Sequence, residues 1–154
     1  MINQLLPRHF DNSYHGHKLA LWLFALVVSV KLLQGLVVMF SGHYIAVAAD
    51  GIPLDTYTPA AAQTVVALFV LLALTRITMS LLCVLALVRY RSAIPFMFAL
   101  LGFDHLARQL ILYFVPIVRT GAAPGLVVNL VLFALTIVGL GLSLWSQGKL
   151  ETQD

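Results

Sequence analysis

The sequence predicts an all-α integral membrane protein in which four transmembrane helices form an up-down-up-down antiparallel bundle. Of its 154 residues, 61% are hydrophobic and only 10% are charged, whereas soluble domains have about 45–50% apolar and about 25% charged residues. A helix needs about 20 apolar residues to cross the hydrocarbon core of a bilayer. Four such segments occupy residues 19–146, so we expect a single transmembrane domain and no separate soluble domain.

The first half of the chain has two of these segments. Residues 1–18 form a polar tail, and the first span is predicted at 19–40. Residues 41–59 are predicted as an external loop, because they include glycine, proline and two aspartates but no lysine or arginine. Thr58 and Pro59 then have the pattern of a helix N-cap followed by proline in the first turn.

The second span is predicted at residues 60–88, and a basic turn at 89–92 connects it to the third span at 93–118. Proline lies near each end of that third span, so neither proline breaks its middle. The fourth span covers residues 124–145, and residues 147–154 form a second polar tail.

Lysine and arginine residues outside the spans determine the expected orientation, because cytoplasmic segments have an excess of them. One side of the membrane has Arg119 alone. The other side has five basic residues, namely Arg8, Lys18, Arg89, Arg91 and Lys149. We therefore expect both tails to be cytoplasmic, in a membrane of the bacterial inner (plasma) membrane type.

The composition argues against several classes of function. The net charge is +3, but the basic residues form no stripe or motif for nucleic acid, so no nucleic-acid partner is expected. A single cysteine, Cys83, allows no intramolecular disulfide and no cysteine-built metal site. His105 has no second deep histidine to pair with, so neither a metal ion nor another cofactor is predicted.

Residues 103–109 place an acid, an imidazole, a guanidinium and an amide in the middle of the third apolar segment. A charge at the centre of a bilayer costs about 2.5–3.5 kcal/mol on insertion scales. Such residues usually face the protein interior, pair with other groups and belong to functional sites.

Charged residues on three spans converge at one depth. Counted at about 1.5 Å per residue from the cytoplasmic end of each span, Lys31 and Arg76 lie at about 18 Å and Asp104 at about 16 Å. Arg108 shares a helix face with Asp104 because the two are four residues apart, and His105 borders that face. These five residues are the predicted site for an anion or a lipid headgroup.

The predicted site has further polar residues around it. On the fourth span, small and hydroxyl residues recur at seven-residue spacing, which lets helices approach closely and form hydrogen bonds. Five polar residues are assigned as supporting residues of the site, namely Gln34, Ser80, Gln109, Asn129 and Thr136.

Three functions are compatible with this cluster. Three cations and one carboxylate leave an excess of positive charge, which favours binding or moving an anionic small molecule or lipid headgroup. Alternatively, Asp104 pairs with Arg76 or Arg108 to fix helix register in a structural or accessory membrane subunit.

The third function is an intramembrane lipid-modifying enzyme that uses Asp104 and His105 as acid and base. It has less support, because adjacent helical residues point about 100° apart and no nucleophile or metal set accompanies them. The expected partners are membrane lipids and either a second copy of the chain or a larger membrane protein.

Overall fold

In a computed structural model of the chain, the residues described are 11–14, 16–120 and 123–145. All regular secondary structure in these ranges is helical, which confirms the all-α part of the predicted fold class. The four α-helices are α1 (Lys18–Ala48), α2 (Pro59–Arg89), α3 (Ile94–Phe114) and α4 (Pro124–Trp145). Two short 3₁₀ helices, Leu54–Thr56 and Arg91–Ala93, lie between them. Three helices, α1, α2 and α4, are long and apolar enough to cross a membrane.

The observed helix ends differ from the predicted ones at two places. Helix α1 continues past the predicted end at Phe40 to Ala48, with a kink at Ser41, where φ is −133° and ψ is 36°. Helix α3 ends at Phe114 instead of residue 118. The reason is Pro116, which has no N–H to donate and disfavours helical backbone at the residue before it.

The start of α2 agrees with its sequence signal. The Thr58 side chain accepts a hydrogen bond from the N–H of Ala61 at 3.3 Å, and Pro59 is in the first turn. The start of α1 is capped differently, since Nδ1 of His17 accepts from the N–H of Leu19 at 3.1 Å. Both caps satisfy N–H groups that have no partner within their own helix.

The two ends of the bundle are distinct. The end with the α2–α3 connection, residues 90–93, is called the turn end below, and the opposite end is called the loop end. At the loop end, the N–H of Thr120 donates to the carbonyl of Gly51 at 3.0 Å, and the N–H of Gly125 donates to Ala49 at 3.1 Å. These bonds place the start of α4 beside the end of α1, so α3 runs from the turn end back to the loop end.

Helix α1 is the centre of the packing. It packs most extensively against α2 and also against α4, and α4 in turn packs against α3. Gly35 allows the close approach of α1 and α2, because a Cβ atom there would lie 2.8 Å from Cγ1 of Ile77. Helices α2 and α3 contact each other far less, so the order around the bundle is α2, α1, α4, α3 with one open side.

The largest apolar core joins all four helices. Phe24 of α1 and Phe98 of α3 are fully buried and meet edge to face, with ring centroids 4.9 Å apart. Cys83 of α2 and Leu132 of α4 belong to the same cluster. The ring of Phe98 lies directly against Gly139 of α4.

The N-terminal segment is attached to the turn end. The N–H of Asp11 donates to Oγ of Ser92 at 3.0 Å, and that hydroxyl donates to the Asp11 carbonyl at 3.0 Å. Tyr14 packs against the apolar core, and burial raises the pKa of its phenol to about 12. Residues 1–10 of the predicted tail, and the whole predicted tail 147–154, lie outside the described residues.

The outer surface of the bundle is strongly apolar. Leucine, valine, isoleucine and phenylalanine side chains are exposed on all four helices. Exposed Trp22 and Trp145 lie at the turn end, whereas exposed Tyr44, Tyr57 and Tyr113 lie toward the loop end. Aromatic residues at both ends of an apolar band are typical of membrane proteins.

Substitutions at two glycines of α4 test the packing of α3 on α4. Gly139→Ala forces a methyl group into the ring of Phe98, whereas a Cβ at Gly141 has no neighbour within 4 Å. Overpacking of a core costs about 1–3 kcal/mol, and both substitutions gain about 1 kcal/mol of helix propensity. We expect Gly139→Ala to lower the thermal unfolding midpoint in detergent and Gly141→Ala to leave it unchanged or raise it. Equal effects of the two substitutions would contradict the packing of α3 on α4.

Candidate functional site

A cavity of about 540 Å³ lies among the four helices, within the range of about 300–1,000 Å³ typical of ligand sites. It is called the central cavity below. Lys31 of α1, Arg76 of α2, and Asp104, His105 and Arg108 of α3 all line it. The five residues predicted as an anion site therefore share one cavity, because the depth of a residue in a helix follows directly from its position along the chain.

Asp104 and Arg108 are paired within α3. Nε of Arg108 lies 3.2 Å from Oδ1 and 3.1 Å from Oδ2 of Asp104. Both side chains are only partly buried, and the spacing of four residues places them on the same helix face. Because both residues belong to one helix, this pair cannot fix the register of two helices against each other.

Lys31 and Arg76 differ from Arg108, because neither forms a hydrogen bond or an ion pair with any residue that the structure describes. They lie on separate helices, and Lys31 is close enough to Arg76, Asp104 and Arg108 to interact with them electrostatically. Two cations thus face the central cavity, and no carboxylate within residues 11–14, 16–120 and 123–145 contacts either of them.

His105 lies at the contact between α3 and α4. Its ring stacks on that of Phe133, with centroids 4.4 Å apart and planes inclined by 14°. Its Nε2 lies 3.4 Å from Nε2 of Gln109. The carboxylate of Asp104 contacts Arg108 and forms no hydrogen bond with His105 in the described structure. These contacts position His105 as part of the cavity wall and give no acid–base relay.

Four of the predicted supporting residues line the central cavity, namely Gln34, Ser80, Gln109 and Asn129. The fifth, Thr136, does not line it. Thr136 is 1% exposed in the core, and its hydroxyl donates to the carbonyl of Leu132 in its own helix at 2.7 Å. The seven-residue spacing correctly puts it on the buried face of α4, but two turns, about 10 Å, from Asn129.

Sequence reasoning missed two charged residues of the cavity, Asp50 and Arg119, which line it near the loop end. Arg119 is brought there by the hydrogen bond of its neighbour Thr120 to Gly51. The Nε atom of Arg119 is buried and has no hydrogen-bond partner among the described residues. Burial raises the pKa of Asp50, while the charges of Arg76 and Arg119 oppose that shift. No sequence signal indicates which cavity a loop residue reaches.

The central cavity is electropositive. Four cationic side chains and two carboxylates line it, which leaves an excess of two positive charges when all are ionised. Among the described residues, no group of three histidine, cysteine, aspartate or glutamate side chains is suited to hold a metal ion. The arrangement is therefore suited to an anion.

Comparison of the chain with protein-family models, with curated proteins and with solved structures gives no match. No relative thus indicates a ligand, an activity or a partner. The chemistry of the central cavity is the observation from which a function can be inferred.

The raised pKa of Asp50 predicts a pH-dependent stability. An acid with a higher pKa in the folded protein stabilises the fold while it is protonated, and this contribution is lost as the pH rises through the folded pKa. We expect Asp50→Asn to unfold at a higher temperature than the wild type at neutral pH. That difference should shrink as the pH is lowered through the carboxyl pKa.

Thermal unfolding between acidic and neutral pH measures this effect. Asp55→Asn is the matched control, because Asp55 belongs to the same connection but is exposed. It removes the same charge without relieving burial, so we expect no comparable gain. A lower unfolding temperature of Asp50→Asn at neutral pH would show that the attraction to Arg76 and Arg119 outweighs burial.

Proposed function

We propose that this protein is a four-span membrane protein that binds an anionic group, from a lipid headgroup or a small molecule, in its central cavity. The observation that supports this most directly is the presence of Lys31 and Arg76 in one cavity, where no carboxylate of the described residues contacts either of them. Cations removed from bulk water are costly unless a counter-charge or polar groups compensate them. A bound anion provides that compensation and also meets Arg108 and Arg119.

Helix α3 is not among the three helices that are apolar enough to span by composition, and its proposed membrane crossing is supported by connectivity. Helices α1, α2 and α4 are apolar enough to span, and α2 ends at the turn end while α4 begins at the loop end. Helix α3 must connect these ends, and its 21 residues reach about 31 Å. Its polar residues face the central cavity, whereas Phe103, Leu106 and Leu110 are exposed on its outer side.

The proposed orientation follows from the distribution of basic residues. Arg89 and Arg91 lie at the turn end, together with Lys18 at the start of α1, so this end is proposed to be cytoplasmic. The loop end, with Asp50 and Asp55, then faces the outside of an inner (plasma) membrane. In this orientation the central cavity extends from the middle of the bilayer toward its outer face.

Binding fits the cavity better than complete transport by one copy. The apolar core around Phe24 and Phe98 connects all four helices and leaves the polar lining without a continuation toward the turn end. Moving an anion across the membrane would need a rearrangement of that core or a second copy of the chain.

The structural and enzymatic alternatives have less support. A register-fixing role needs an ion pair between helices, and the Asp104–Arg108 pair lies within one helix. An acid–base role needs a free imidazole near the reacting group, and the ring of His105 is stacked on Phe133.

The topology can be tested by cysteine labelling with a membrane-impermeant maleimide in intact cells. In a Cys83→Ser background, we expect Val118→Cys to be labelled from outside and Arg89→Cys only after permeabilisation. These positions flank α3, so opposite accessibility shows that α3 crosses the bilayer. Asp55→Cys is the control, since it belongs to the other connection at the loop end and should behave as Val118→Cys does. Equal labelling of Arg89→Cys and Val118→Cys would contradict the proposed crossing.

Anion binding is tested by the thermal unfolding midpoint of purified protein, titrated at constant ionic strength with inorganic phosphate or with an anionic lipid. A ligand that binds only the folded state raises the midpoint. Because a hydrogen bond to a charged group contributes about 1.5–3 kcal/mol, we expect Arg76→Gln to weaken binding at least about tenfold. Arg89→Gln, an exposed arginine of the same helix, should bind normally.

The stability of the ligand-free variant distinguishes binding from a structural role. Arg76→Gln removes a cation that has no partner in the described structure, so we expect its ligand-free unfolding midpoint to equal or exceed that of the wild type. A structural role predicts a clear loss instead. A wild-type protein that neither phosphate nor anionic lipid stabilises would contradict the proposed function.

A further inference from the structure

The central cavity opens on one side of the bundle, between α2 and α3. Five of its lining residues are exposed. Four of them belong to these two helices, namely Leu72, Thr75, Gln109 and Ile111, and the fifth, Ile117, lies just after the end of α3. Contacts between α2 and α3 are few compared with those that α1 makes with α2. The gap between α2 and α3 is called the lateral opening below.

Apolar surface surrounds the lateral opening. Leu72 of α2 and Ile111 of α3, which line the cavity, are 52% and 61% exposed. In a membrane this side faces acyl chains, so a fully hydrated anion would have to cross hydrocarbon to enter here. A lipid avoids that cost, because its chains can remain outside while its headgroup enters the cavity.

The charge of the cavity indicates the kind of headgroup. Its lining has an excess of two positive charges, and a phosphomonoester carries about −1.5 to −2 at pH 7. A phosphodiester carries a single negative charge and would leave one cation uncompensated. The guanidinium groups of Arg76 and Arg108 suit this ligand, since arginine can bind phosphate through two parallel hydrogen bonds.

The size of the cavity agrees with a lipid. A free phosphate would fill only a small part of the volume of about 540 Å³. The remaining wall near the opening is mostly apolar and includes Leu72, Met79, Ile111 and Leu112. The cavity wall thus combines charged groups with apolar side chains, which match the two parts of an amphiphile.

We infer that the central cavity binds the phosphomonoester headgroup of a membrane lipid, which enters sideways through the lateral opening and leaves its hydrocarbon chains between α2 and α3. This inference rests on the proposed function, because it specifies the anion and its route. It also assigns Leu72 and Ile111 as residues that contact the lipid chains.

The headgroup is tested with purified wild-type protein in neutral detergent by native mass spectrometry. The probes are phosphatidic acid, phosphatidylglycerol and phosphatidylcholine with identical acyl chains, and inorganic phosphate is tested in parallel by thermal shift. We expect phosphatidic acid to bind at least about tenfold more tightly than phosphatidylglycerol, since the second charge adds one charged hydrogen bond of about 1.5–3 kcal/mol. Equal or tighter binding of phosphatidylglycerol overturns the monoester assignment.

The route is tested by tryptophan substitutions at the lateral opening. Leu72→Trp and Ile111→Trp, made separately, occupy space that the lipid chains need, and we expect each to weaken phosphatidic acid binding at least about tenfold. Leu71→Trp and Leu110→Trp are the controls, because these residues are 60% exposed, like Leu72 and Ile111 at 52% and 61%, but do not line the cavity. Wild-type affinity in both Leu72→Trp and Ile111→Trp overturns sideways entry.

Inorganic phosphate distinguishes failure of this inference from failure of the proposed function. Its stabilising effect, where the wild type shows one, should survive Leu72→Trp and be lost in Arg76→Gln. A protein that phosphate stabilises but that binds none of the lipids keeps the proposed function and overturns the lipid inference. A protein that binds neither phosphate nor any anionic lipid overturns both.

Discussion

The central constraint on this protein is positive charge inside a bundle of apolar helices that no carboxylate in the described part of the chain contacts. Lys31 and Arg76 face the same cavity from separate helices, and repulsion between them opposes closure of that cavity. The carboxylate that lies at their level, Asp104, already contacts Arg108 on its own helix. The separation of α2 from α3 is consistent with this charge distribution, because closing the gap would bring Arg76 of α2 closer to Arg108 of α3.

The bundle separates packing from the candidate site. Phe24, Phe98 and Gly139 belong to a region where side chains interdigitate with little free space. The charged residues lie beyond that region, on helices that the core already holds in place. The packing of the helices therefore does not depend on contacts among the charged residues of the site.

Much of this arrangement could be predicted from the sequence, because helices have a regular rise. Counting along apolar segments gives the four helices and puts Lys31, Arg76 and Asp104 at one depth. Counting residues cannot reveal that Asp50 and Arg119 line the cavity. Their positions depend on a hydrogen bond between Thr120 and Gly51, which are far apart in sequence. Similarly, a seven-residue pattern predicts the face of α4 to which Thr136 belongs. It does not predict whether that residue faces the apolar core or the cavity.

The hydrogen bonds at the two ends leave the bundle with one free edge. At the loop end, Gly51 is bound to Thr120, and at the turn end Asp11 is bound to Ser92. Helices α1 and α4 pack against each other between these attachments. Helix α2 packs on α1, and helix α3 packs on α4. Because α2 and α3 share few contacts, the distance between them is the dimension of the fold whose change costs the least helix packing.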